Sequence, residues 1–237
     1  MLKKSKLKPW QKKQWCIGQV DGEYLAAMED VLEVYEQPGQ QACIRLCLDE
    51  RPCQLLDEVI SPLPMKEARP LRQDYEYERK GSCVVFMMYD IDKGVRYGKV
   101  SERRTKADYA AFVEEVLSQH YPRAAKVELV QDNLNTHKYG SFYEYLPVER
   151  AAALRRLINF HYTPKHGSWL NMVEIEFSAL CRQCLDRRIA SLQELDEQMQ
   201  AWIKERNEKQ LKIHWSFTVK EARNKLAPKY AKLVPEN

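Results

Sequence analysis

Apolar and polar residues alternate along the chain in patterns that predict an ordered series of strands and helices. Short apolar runs predict buried strands at 42–48, 84–89, 95–100, 127–130 and 158–162. Apolar residues at steps of three and four predict helices at 23–35, after Thr105, at 139–157, after Ser168 and after Ser191. Residues 57–80 combine prolines and charges without a period and predict an irregular loop. This order predicts an α/β domain whose mixed sheet is flanked by helices.

Two of the predicted buried strands are followed by acidic residues. Strand 42–48 stops at Asp49, and Pro52 argues against a longer strand; strand 127–130 is followed closely by Asp132. If the first and fourth strands are neighbours, these aspartates lie side by side at the strand ends where α/β sheets bind ligands. Glu174 lies at the border of the apolar stripe of the helix after Ser168, about 70° from its centre. That helix would bring a third carboxylate above the two aspartates.

Three neighbouring carboxylates repel one another unless their pKa values rise or cations bind between them. Oxygen-rich sites of this kind bind Mg²⁺ or Mn²⁺. Two such ions about 4 Å apart can stabilise both the attacking and the leaving oxygen of an in-line displacement at phosphorus. The pattern therefore predicts a two-metal site, with Asp49, Asp132 and Glu174 as ligands, for cutting or joining nucleic-acid strands.

The charge of the chain is distributed unevenly. The 237 residues carry 38 Lys and Arg against 34 Asp and Glu, a net charge of +4. Both ends are basic and the middle is acidic, which suits a protein that holds a polyanion with its flanks. We expect a basic arm and leading helix at 1–40, a catalytic domain at 41–190 and a basic helical tail at 191–237 packed on it.

Several other classes of protein are excluded. The longest wholly apolar run, 83–89, is far shorter than the roughly 20 residues of a membrane-spanning helix, and no secretory signal follows the lysine-rich start. The seven cysteines are an odd number without a secretion signal, which favours free thiols over a disulfide framework. Cys181 and Cys184 form a C-x-x-C pair without a second pair, so core packing is favoured over zinc binding.

Beyond these general patterns, several longer segments are specific to one family. LCLDE, LVQDNLNTH and HYTPKHGSWLNMVEIEF, together with SERRT and RQCLDRRI, resemble the catalytic domain of bacterial insertion-sequence transposases of the mariner superfamily over about residues 15–225. The resemblance implies a ribonuclease H-like fold and a DDE triad matched by Asp49, Asp132 and Glu174. It also implies the reaction: water frees a 3′-hydroxyl at the transposon end, and that hydroxyl attacks target DNA.

The same resemblance implies the partners. These are double-stranded DNA at transposon ends, a target of the TA type, and a second copy of the chain, since two ends must be held together. The expected location is the cytoplasm, in association with the nucleoid.

In two respects the chain departs from the family pattern. Nothing before Trp15 is long enough for the helix-turn-helix units that recognise transposon ends, so we expect a chain without that region. The interval from Asp132 to the third acid is longer than in the eukaryotic branch. No carboxylate lies between Glu149 and Glu174, which leaves Glu174 as the best third ligand, with Glu176 behind it.

Other polar residues near the triad are secondary candidates with bland alternatives. Asn133, Asn135 and His137 either cap their own loop or support the site and contact DNA. The remaining candidates are Glu50, His166 and Asn171. Glu50 adjoins Asp49, and its alternative is to be merely solvated. His166 and Asn171 flank the third carboxylate, where a structural role is the alternative. Two rival functions also stay open: a stand-alone nuclease of the same fold, and a non-catalytic or remnant DNA-binding protein.

Overall fold

A computed structural model describes residues 20–39, 42–231 and 233. The basic arm predicted before residue 20 lies outside the described residues. The strands are β1 (Cys43–Glu58), β2 (Tyr77–Asp90), β3 (Val95–Ser101), β4 (Lys126–Gln131) and β5 (Ile158–Tyr162). The helices are α1 (Gly22–Glu36), α2 (Lys106–His120), α3 (Tyr139–Tyr145), α4 (Val148–Leu157), α5 (Val173–Gln183), α6 (Leu192–Glu208), α7 (Val219–Lys225) and α8 (Ala227–Ala231).

The five strands form one mixed sheet in the order β3-β2-β1-β4-β5. β1, β2 and β3 pair antiparallel, whereas β4 pairs parallel to both β1 and β5. The predicted mixed sheet is therefore confirmed, and so is the predicted adjacency of the first and fourth strands.

Helices cover both faces of the sheet because successive strand side chains point to opposite sides. On one face, Cys47 and Met87 join a buried cluster with side chains of α1, α5 and α6. On the other face, Leu48 and Phe86 join a second cluster with side chains of α2, α3 and α4. The sheet is thus the middle layer between two apolar cores.

The first strand is much longer than predicted. β1 passes through Asp49 and Pro52 and continues to Glu58, because β2 pairs with it along this whole length. The parallel pairing with β4 ends at Cys47, so Pro52 lies where β1 has β2 as a neighbour on one side, a position that tolerates a missing N–H. The loop predicted for 57–80 is also too long, since β2 begins at Tyr77.

The ribbon of β1 and β2 beyond Pro52 is held by the segment after α5. Leu56 N–H donates to the Ile189 carbonyl at 2.9 Å, and the Arg188 guanidinium donates to Glu58 Oε2 at 2.5 Å. Arg188 also donates to backbone carbonyls of the connecting loop, those of Asp74, Tyr75 and Glu76.

Helix starts agree only partly with the predictions. Thr105 and Ser191 cap α2 and α6 as expected. The predicted Ser168 cap is wrong, because residues 168–170 form a short 3-10 turn and α5 begins at Val173. The helix predicted at 139–157 is broken at Pro147 into α3 and α4.

The C-terminal helices return to the start of the chain. α6 packs on β3 through Met199 and Ile203, and the Arg223 guanidinium of α7 pairs with Glu29 of α1 at 2.6 Å. No described helix is both long and apolar enough to span a bilayer.

His161 on β5 ties the edge of the sheet to α1. Its Nδ1 lies 2.8 Å from Asp30 of α1, and its Nε2 lies 2.8 Å from the buried Glu128 of β4. Burial lowers the pKa of His161, but the two carboxylates outweigh burial and raise it above its usual value. The protonated imidazole therefore stabilises the fold.

We predict that His161→Gln lowers the free energy of unfolding by about 1–3 kcal/mol at acidic pH, because charged hydrogen bonds are lost. The raised pKa means that this stabilisation is complete below about pH 6.5 and disappears as pH rises through the folded-state pKa. Urea unfolding across this range should show the wild type and the variant converging at high pH. Exposed His214→Gln is the control, and a constant difference between wild type and His161→Gln would contradict the prediction.

Candidate active site

The parallel pairing of β1 and β4 places two acids at the same level. Cys47 pairs with Val130, and Asp49 and Asp132 each follow two residues later. Asp49 remains within β1, with 9% of its surface exposed, whereas Asp132 begins the loop after β4. The sequence prediction that these two residues come side by side at the end of β4 agrees with this register.

The third acid comes from the helix that packs on the same face. Val173 and Phe177 of α5 share a buried cluster with Cys47 and Val130. Glu174, which follows Val173, is partly buried. α5 thus carries its carboxylate to the face of the sheet that Cys47 and Asp49 share.

Asn171 fixes the start of α5 against Asp49. Its Nδ2 donates to the Leu48 carbonyl at 2.9 Å and to Asp49 Oδ2 at 3.3 Å. Its Oδ1 accepts from Val173 N–H at 3.2 Å, at the first turn of α5. The buried amide therefore connects the helix to the first aspartate, a stronger link than sequence reasoning gave to this flanking residue.

Electrostatics show that the three acids influence one another. Burial raises the pKa of Asp49, and the negative charges of Glu174, Asp132 and Glu50 raise it further, to about 7. A hydrogen bond that Asp49 Oδ1 accepts from Glu50 N–H, at 2.8 Å, acts in the opposite direction. Near neutral pH the Asp49 carboxyl is therefore divided between its neutral and ionised forms.

The donor set has the chemistry of a hard-cation site. A divalent cation would relieve the repulsion that raises the pKa of the buried Asp49 carboxyl, and oxygen ligands suit Mg²⁺ and Mn²⁺. Within 20–39, 42–231 and 233, however, no three His, Cys, Asp or Glu side chains gather closely enough to enclose a metal ion. The three residues are of the types that bind such an ion, and they come to the same side of the sheet. Their carboxylates, however, are not close enough together to enclose the ion.

Glu50 and His137 form a buried pair beside the triad. The expectation that Glu50 is solvated is wrong: its side chain is buried, with Oε2 2.9 Å from His137 Nε2. His137 Nδ1 in turn lies 2.6 Å from Asp132 Oδ1. Burial lowers the pKa of His137, but these two carboxylates outweigh it and raise the pKa to about 9.

The other secondary candidates lie on the surface near Asp132. Asn133 and Asn135 are exposed, and Asn133 accepts a hydrogen bond from Lys138. His166 is also exposed, in a left-handed backbone conformation with φ 64°. A cavity of about 740 Å³ opens here, and Asp132, Asn133 and His166 line it together with the start of α1.

Glu176 belongs to a separate buried network that the sequence did not reveal. Both of its oxygens accept from the Arg96 guanidinium of β3 at 2.8 Å, and they also accept from Arg206 of α6 at 3.1 and 3.2 Å. The Glu176 and Arg96 side chains are fully buried. Because two guanidinium groups use both oxygens, Glu176 is not available as an alternative third ligand.

Solved structures define the class of fold. The chain is similar to the Mos1 mariner paired-end complex with Mn, at 12% identity and a TM-score of 0.57, covering 96% of this chain and 66% of that one. It is also similar to the catalytic domain of Mos1 mariner transposase, at 10% identity and a TM-score of 0.54, covering 92% and 95%. The fold is thus ribonuclease H-like, and the chain spans slightly less than two-thirds of the Mos1 chain in the paired-end complex.

A family model identifies the chain more narrowly. Residues 45–196 match the model of the DDE superfamily endonucleases, and the chain belongs to this family. No curated protein sequence matches the chain significantly.

We predict that Asp49→Asn stabilises the metal-free protein. Because the folded-state pKa of about 7 exceeds the ordinary 3.8, ionised Asp49 costs stability progressively as pH rises between these values. At pH 8 the amide should raise the free energy of unfolding by roughly 2–4 kcal/mol. Urea unfolding in chelator measures this effect. Asp57→Asn, on the same strand, is the control, and a destabilised Asp49→Asn protein would refute the electrostatic assignment.

Glu174 and Glu176 should differ in how strongly substitution lowers the free energy of unfolding. Glu176→Gln weakens the pairing of the buried Arg96 guanidinium, and we expect a loss of about 3–5 kcal/mol in the free energy of unfolding. Glu174→Gln should leave stability near that of the wild type. Parallel urea titrations compare the two variants, and equal stability would show that the ion-pair network is unimportant.

Proposed function

We propose that this chain is a transposase catalytic domain that cleaves DNA strands at transposon ends and transfers them to target DNA. The observation that supports this most directly is geometric: Asp49 and Asp132 each lie two residues past the Cys47–Val130 pair that ends the pairing of β1 with β4, and α5, which carries Glu174, packs in the same buried cluster. Burial raises the pKa of Asp49, and the charges of Glu174 and Asp132 raise it further. Membership of the DDE superfamily endonucleases supports the same chemistry. Asp49, Asp132 and Glu174 are the proposed catalytic residues.

The proposed cofactor is a pair of Mg²⁺ or Mn²⁺ ions held by the three carboxylates. When bound, such ions lower the pKa of the attacking water or hydroxyl and stabilise the leaving oxygen. The chain itself would supply the ligand oxygens, fix Asp49 through Asn171, and exclude water from the covered side of β1. Paired-end complexes of Mos1 with Mn and with Mg support this choice of cation.

The proposed partners follow from the same neighbours. Mos1 forms a paired-end complex with the left transposon end, a pre-cleavage transpososome and a strand transfer complex. By analogy, we propose that two copies of this chain hold two duplex ends and act on a TA-type target.

The test is cleavage of supercoiled plasmid and labelled duplex with Mg²⁺, with Mn²⁺ and with chelator. Asp132→Ala should reduce cleavage by at least about a thousandfold, because one metal ligand is lost, while the thermal unfolding curve stays cooperative. Glu115→Gln, an exposed carboxylate on α2, is the matched control and should cleave like the wild type. Metal-dependent cleavage that survives in Asp132→Ala would refute the site.

Product analysis separates the proposed function from its rivals. Strand transfer joins the freed 3′-hydroxyl to a second DNA molecule, whereas a stand-alone nuclease leaves only hydrolysed ends. A remnant DNA-binding protein would retard DNA in gels without metal-dependent products.

A further inference from the structure

His137 connects the two strand segments that carry the aspartates. Its ring lies between Asp132 Oδ1, 2.6 Å from Nδ1, and Glu50 Oε2, 2.9 Å from Nε2. Asp132 begins the loop after β4, whereas Glu50 follows Asp49 in β1. The imidazole is completely buried, so solvent does not compete for either contact.

The surroundings hold this ring in one place. It packs against the Tyr109 ring at a centroid distance of 4.7 Å. The His137 carbonyl accepts from the Tyr162 hydroxyl at 2.8 Å and from Gln131 Nε2 at 3.3 Å. Contacts from α2, β4 and β5 therefore fix both the backbone and the side chain of His137.

The contact with His137 distinguishes the two oxygens of Asp132. Oδ1 is buried against the imidazole, yet the Asp132 side chain as a whole is 33% exposed and lines the cavity. The exposed part of the carboxylate is therefore the side of Oδ2. Oδ2 is therefore the oxygen of Asp132 that a cation can reach.

We propose that His137, held by Glu50, is a positioning residue that orients the Asp132 carboxylate so that Oδ2 faces the cation. The inference rests on the proposed function, because it takes Asp132 as a metal ligand. The side-chain contacts of His137 with Asp132 and Glu50 are close ion pairs, and its Nδ1 also lies 3.2 Å from the Asp132 backbone carbonyl. Loss of a polar partner that orients a ligating carboxylate typically weakens metal binding by 10–100-fold.

Because His137 is paired with the buried Glu50 carboxylate, a test of the positioning role has to change both residues. Both oxygens of this carboxylate are buried, and removal of His137 alone leaves this charge with only the Arg104 guanidinium, 3.4 Å from Oε1, which can unfold the protein. The double variant Glu50→Gln/His137→Gln removes both charges together while keeping side chains of similar size. His161→Gln is a matched control, because His161 also bridges two carboxylates, Asp30 and Glu128, neither of which is in the triad.

The experiment is an Mn²⁺ titration of the purified chain, with free Mn²⁺ followed by electron paramagnetic resonance and thermal unfolding recorded in parallel. We expect the dissociation constant of the double variant to rise by about 10–100-fold and that of His161→Gln to stay unchanged. In the cleavage assay, the Mn²⁺ concentration for half-maximal rate should rise by a similar factor, with a smaller fall in the rate at saturating Mn²⁺.

The outcomes separate this inference from the proposed function. A folded double variant with wild-type Mn²⁺ affinity overturns the positioning role, and the triad assignment stands if Asp132→Ala still loses binding and cleavage. Equal weakening in His161→Gln also overturns the role, because it would reflect general loss of stability. A wild-type chain that neither binds Mn²⁺ nor cleaves DNA overturns both.

Discussion

The site depends on the parallel pairing of β1 with β4. Parallel strands cannot be joined by a tight turn, so the chain must leave β1, build β2, β3 and α2, and return before β4 can lie beside it. This pairing stops at Cys47 and Val130 while β1 continues along β2. β1 therefore extends beyond the end of β4 at the centre of the sheet, and Asp49 lies on this extension. The Asp49 carboxylate points to the face of the sheet that α5 covers, and only 9% of the residue is exposed.

The protein treats its buried carboxylates in two ways. Glu176 receives two guanidinium groups and Glu50 receives an imidazole, so these charges are compensated and join elements distant in sequence. Asp49 receives an amide and a backbone N–H, but its nearest charges are negative. Compensated acids stabilise a fold, whereas an uncompensated one lowers stability unless a cation arrives. Two residues of α5 illustrate the difference. Glu176 is paired with two guanidinium groups, whereas Glu174, two residues earlier, adds negative charge near Asp49.

Sequence reasoning found the parts of this arrangement that are local. Acids at or just beyond the end of an apolar run made Asp49 and Asp132 candidates, and the capping residues Thr105 and Ser191 identified two helix starts. It failed where a distant partner decides the outcome. The extension of β1 depends on pairing with β2, and Pro52 is harmless only because β4 has already ended. The burial of Glu50 depends on His137, far along the chain, and no local pattern reports that contact.

The ribbon formed by the outer halves of β1 and β2 is connected to the helix that carries the third acid. No other strand among the described residues pairs with the ribbon. The short segment after α5 contacts it through Arg188 and Ile189. Leu55 of this ribbon is buried in the same apolar cluster as Val173 and Phe177 of α5. The ribbon and the helix that carries Glu174 are therefore connected twice, by the contacts of Arg188 and Ile189 and by a shared apolar core.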